Sequence, residues 1–82
     1  ADGPEQKARD SDARAILQAE LDKARARLAS LKAEYNEGHP DRTALELRNP
    51  QGYLARVEEL KANMARQESD IAGIQREMAR WP

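Results

Sequence analysis

The chain has no cysteine and no phenylalanine, and only one tryptophan and one histidine among its 82 residues. Without cysteine there is no disulfide framework and no cysteine-ligated zinc or iron–sulfur centre. A metal site usually needs three or four suitable donors, and His39 has no second histidine to join it. No apolar run approaches the roughly 18 residues that identify a membrane span, so no direct membrane insertion is expected. The aromatic residues are Tyr35, Tyr53 and Trp81 alone. A chain this short buries proportionally little surface, and few bulky side chains are present to offset its conformational entropy.

An excess of either charge is missing too. Fourteen basic and fifteen acidic side chains give a net charge of −1. The balance is local, with seven of each sign in residues 1–36 and five of each in residues 50–82. No basic face accumulates for nucleic acid and no polybasic run for an anionic membrane. No Ser–His–Asp set, phosphate-binding glycine loop or metalloprotease helix motif occurs. The residues therefore predict no catalytic group, no cofactor and no metal. A sequence that begins at Ala1 rather than Met is expected to be a processed or excised form of a longer product.

What is present is a helical mixture of Ala, Arg, Glu, Leu and Lys. Residues 1–10, with Gly3 and Pro4, read as a disordered lead-in. A first helix is expected over 11–36, capped by Asp10 or Ser11 with Asp12 at its positive end. Its apolar positions are Leu17, Leu21, Ala24, Leu28, Leu31 and Tyr35, in alternating steps of four and three. That alternation keeps one stripe facing a partner helix. Gly38 and Pro40 end this helix, and a connector follows over 37–49. Thr43 and Glu46 have the spacing of a capping box, which predicts a helical turn over 44–47.

Asn49 and Pro50 restart a helix over 50–80 as cap and first residue. Its stripe is Tyr53, Val57, Leu60, Met64, Gln67, Ile71, Ile74, Met78 and Trp81. Two such helices joined by a short connector fold back antiparallel. The predicted fold is thus an all-α coiled-coil hairpin.

Two registers bring a and d positions level. The first pairs Leu17 with Ile71, Ala24 with Met64, and Leu31 with Val57. The second pairs Leu17 with Met78, Ala24 with Ile71, Leu28 with Gln67, and Leu31 with Met64. The second sets Arg25 near Glu68 and Arg27 near Asp70, whereas the first sets Arg25 near Lys61 and Glu20 near Asp70. The second also covers Met78, which the first leaves opposite Asp10. These differences favour the second.

Ile16 and Leu54 fall outside the stripe, and Leu45 and Leu47 lie in the connector. They want cover that one hairpin does not supply, so a homodimer forming a four-helix bundle is expected. Gln67 either specifies register as a buried polar residue or reaches to the rim. His39 reads as a polar loop residue, and the Glu58–Glu59 and Glu68–Asp70 pairs as solvated faces. Met64 and Met78 read as stripe fillers. Tyr53 is placed to cover the tip. Trp81 is either a partner anchor or the last stripe residue.

Leu28-Ala29-Ser30-Leu31, Ala33-Glu34-Tyr35-Asn36-Glu37-Gly38, Arg48-Asn49-Pro50-Gln51-Gly52-Tyr53-Leu54-Ala55-Arg56-Val57 and the segment Ser69–Glu77 run in an order that resembles a group of uncharacterised proteobacterial coiled-coil proteins. The likeness spans about residues 11–80. Those proteins have no established activity and some are exported, which implies a periplasmic or envelope location. A shorter stretch, Leu31, Tyr35, His39-Pro40-Asp41 and Leu45, is similar to the coiled coils of polysaccharide chain-length determinants. That likeness implies a part in cell-envelope assembly. The chain departs from the latter family at Asn49-Pro50, where the family's helix tends to continue, and contains no membrane segment. The function expected from the residues is a non-enzymatic module for helix–helix association.

Overall fold

The computed structural model describes residues 3–80, and Trp81 lies outside them. The order is α1 (Pro4–Tyr35), a 3-10 turn (Asn36–Gly38), α2 (Ala44–Arg48) and α3 (Pro50–Met78), with no strand among the described residues. α1 and α3 pack along their lengths as a hairpin. The long axis is 66 Å and the other two are 17 and 16 Å. The radius of gyration is 18.8 Å, against about 12 Å for a compact domain of this length. The molecule is therefore a rod.

α1 begins at Pro4, so the disordered lead-in expected over residues 1–10 is helical from residue 4 onward. Gly3 takes the cap position in place of Asp10 or Ser11, and its carbonyl accepts from Gln6 and Lys7. Glu5, rather than Asp12, supplies the acidic group in the first turn. Pro fits a helix's first position because its missing N–H would be unsatisfied there anyway. Gln6 then bonds to Asp10 across one turn at 3.1 Å. A Gly-Pro pair read as a breaker is here a start signal.

The other end of α1 closes through three consecutive left-handed residues. Asn36, Glu37 and Gly38 have φ of 48°, 56° and 94°. Gly38 needs no side chain there and meets only Tyr35 nearby. The Asn36 side chain ties the turn by donating to the His39 carbonyl at 3.0 Å. α2 starts on the expected capping box, with Thr43 Oγ1 accepting from Glu46 N and Glu46 Oε1 accepting from Thr43 N. Asn49 Oδ1 accepts from Gly52 N at the head of α3, with Pro50 first in the helix.

The helices meet in the second register. Grooves between them bring Leu31 and Ser30 to Asn63 and Gln67, and Glu20 and Ala24 to Asp70, Gly73 and Ile74. The length agrees. At about 1.5 Å per residue, the first register gives a rod of roughly 50 Å and the second roughly 60 Å, closer to the observed 66 Å. Arg27 and Asp70 share a groove, but among the described residues neither they nor Arg25 and Glu68 close to ion-pair distance.

One consequence of this register is an unequal overlap. The first ten residues of α3 run past the end of α1, and the connector packs against them. The α1 residues before Leu17, about three and a half turns, run past the other end, and Pro4–Arg9 are exposed. A paired substitution checks the register: Ala24→Cys with Ile71→Cys should form an intramolecular disulfide on oxidation, and Ala24→Cys with Met64→Cys should not. The reverse pattern, resolved by non-reducing electrophoresis after proteolysis, would place the helices a heptad away.

Candidate interaction surface

Arg56 and Tyr53 hold the tip. Arg56, two turns into α3, donates from Nε to Glu46 Oε2 at 2.7 Å and from Nη2 to Glu46 Oε1 at 2.9 Å. The same Nη2 reaches the Asp41 carbonyl at 2.6 Å. Its Nη1 lies 3.7 Å from Glu34 Oε2 on α1. A planar guanidinium with five donors suits this fan of acceptors, and an ammonium would not reproduce the fork. Tyr53, one turn earlier, donates its hydroxyl to the buried Pro40 carbonyl at 2.9 Å. The Arg42 guanidinium stacks 4.3 Å from the Tyr53 ring centroid. Tyr53 does cover the tip, with 8% of its surface exposed.

These contacts set the charge state at the tip. The Glu46 carboxyl is held at about 2, below its usual 4.5, first by the Arg56 side-chain hydrogen bonds and then by the Thr43 backbone N–H. Arg56 is pushed above its usual value by the same pairing.

Among the described residues the apolar stripe positions are buried or half-buried. Leu21, Ala24 and Leu60 are buried. Leu17, Leu28, Leu31, Tyr35, Val57, Met64, Ile71, Ile74 and Met78 are half-buried. None is fully exposed, but few are sealed. Gln67 sits on the stripe with its Oε1 buried and without a hydrogen-bond partner.

The four apolar residues expected to want cover lie in the open. Leu45 is 81% exposed, Leu47 70%, Leu54 62% and Ile16 61%. Leu47 and Leu54 share a shallow tip groove with Pro40 and Val57. His39 lines that groove as well. Among the described residues no three His, Cys, Asp or Glu side chains gather as metal ligands. Glu58 pairs with Lys61 at 3.3 Å on an open face.

Arg56 was the functional residue least visible beforehand. Its partners lie ten, fifteen and twenty-two positions away, so no local spacing announces them. Glu46 carried a signal through its capping-box position, but not its second role as the Arg56 acceptor.

Because the Glu46 pKa is depressed on folding, its contribution is complete above the unfolded value and is lost as pH falls through the folded one. The thermal midpoint of the native chain should therefore fall more steeply than that of Glu46→Gln as pH drops from 4.5 to about 2. Circular dichroism melts measure the difference between the two curves. Parallel curves would mean that the Glu46–Arg56 pair does not stabilise the tip.

No protein-family model matches the chain. Searches of curated proteins and of solved structures also find no match.

Proposed function

We propose that the chain is a non-enzymatic association module whose working partner is a second copy of itself, two hairpins joining as a four-helix bundle. Its surface area carries this reading. The chain exposes 6382 Å², whereas a compact monomer of 9.2 kDa exposes about 4,900 Å². The surplus is larger than the roughly 800 Å² that each partner contributes to an interface of standard size. The open surface includes a half-covered apolar stripe and the exposed Ile16, Leu45, Leu47 and Leu54.

The chemistry of the surface agrees with a helical partner. The two signs of charge are balanced in each half of the chain, which favours no nucleic acid. The grooves are shallow and open along the rod, and a site of that shape does not desolvate a reacting group. Sedimentation velocity is the test. A dimer of about twice 9.2 kDa is expected at micromolar concentration. A chain that sediments only as monomer up to several hundred micromolar would remove the proposal.

A further inference from the structure

The two stripes differ in length. On α1 the apolar stripe has six positions, Leu17 to Tyr35, and runs on toward the start of the helix as Arg14, Asp10 and Lys7. On α3 it has eight positions from Tyr53 to Met78, all apolar or aromatic except Gln67. Six layers laid on eight leave two without α1, and either end of α3 can be the end left over. In the observed register the two are Tyr53 and Val57. One heptad away they would be Ile74 and Met78, set against Arg14 and Asp10.

The helix–helix layers do little to decide between these registers. Each sets six layers together, and Gln67 faces a leucine in both, Leu28 in the observed one and Leu21 in the other. The length of the connector does not decide either. Fourteen residues join Tyr35 to Pro50, and at about 3.3 Å each they span either distance with chain to spare. What differs is where the connector lies. It packs on the two leftover layers, with Pro40, Asp41, Arg42 and Leu47 sharing a groove with Tyr53 and Val57. Tyr53 donates to the Pro40 carbonyl, and Arg56 gathers Glu46 and the Asp41 carbonyl. Glu34, in the last turn of α1, lies 3.7 Å from the same guanidinium. A slide of seven residues would carry Glu34 about 10 Å along α3. Tyr35 would then stand level with Tyr53 and Leu31 with Val57, in the space the connector occupies.

We propose that the connector is a register latch: docked through Arg56 and Tyr53 it holds α1 and α3 in the observed register, and undocked it lets α1 slide one heptad toward the tip. The heptad repeat supplies two discrete stops, because only a whole repeat sets stripe against stripe again. The slide moves the start of α1 about 10 Å relative to the end of α3, so an event at the tip is felt at the far end of the rod. The latch belongs to a single chain and does not depend on self-association.

The absence of native cysteine makes the register directly readable. Ala24→Cys with Ile71→Cys reports the observed register, and Ala24→Cys with Met64→Cys the shifted one. Each is counted as the intramolecular link in the monomer band. With Arg56→Leu added, the shifted link should gain at least roughly ten-fold over the other, the order of effect of losing one charge-assisted hydrogen bond. An unchanged ratio, or a chain whose circular dichroism shows the helices lost, would overturn the latch, because the helices would then have one register or none. The converse measurement keeps Arg56. Both cysteine pairs are oxidised in denaturant and refolded, which locks one chain in each register. Glu46→Gln should lower the thermal midpoint of the chain locked through positions 24 and 71 and leave that of the chain locked through 24 and 64 unchanged. Equal losses in both, or a shifted chain that does not refold to helix, would also overturn the latch.

Discussion

Two α-helices can enclose one stripe of side chains and no more, and that limit shapes this molecule. Each stripe has one face covered by the opposing helix while its flanks stay open to water. Leu21, Ala24 and Leu60 are the buried apolar side chains beneath this cover, and Tyr53 is buried at the tip beside the connector. Burying a leucine fully contributes about 1.5–3 kcal/mol. Fixing the backbone of each residue costs about 1–2 kcal/mol. A partly covered stripe therefore gives less hydrophobic stabilisation than its number of leucines implies, and long helices need packing more than propensity to persist.

Polar contacts do at the tip what the stripe does along the rod. The register leaves the first turns of α3 without α1 beside them, and Arg56 fills that gap by gathering Glu34, Glu46 and the Asp41 carbonyl onto α3. Tyr53 seals the space beneath with its ring and bonds Pro40 with its hydroxyl. The tip so formed is ordered enough to present Leu45, Leu47 and Leu54 outward on fixed backbone rather than on a loose loop. Local structure, packing and the exposed surface are linked through that one guanidinium.

The stripe was legible because helical periodicity is a local property, and steps of four and three leave little freedom about which side turns inward. The caps at Thr43, Asn49 and Gly38 were legible for the same reason. The start of α1 was not, because Gly3 and Pro4 serve equally as breakers and as a cap with first residue, and only the chain beyond decides between them. Arg56 was hidden because its acceptors converge through the fold. Gln67 left two readings open, and its buried oxygen places it on the stripe rather than at the rim. The register was half visible. Charge and Met78 favoured the arrangement observed, yet Arg25 and Glu68 form no ion pair there, so the favoured register rests on the fit of the tip and stripe more than on those charges.

A hairpin with an open stripe and an unpartnered amide at its midpoint should be more stable in company than alone. Association that favours the folded state makes the thermal midpoint depend on protein concentration. Melting followed by circular dichroism across a thousand-fold range of concentration tests this most directly. The account predicts a midpoint that rises steadily with concentration until the dimer is saturated. A midpoint that stays constant over the whole range would contradict it, because the lone hairpin would then be the complete folding unit.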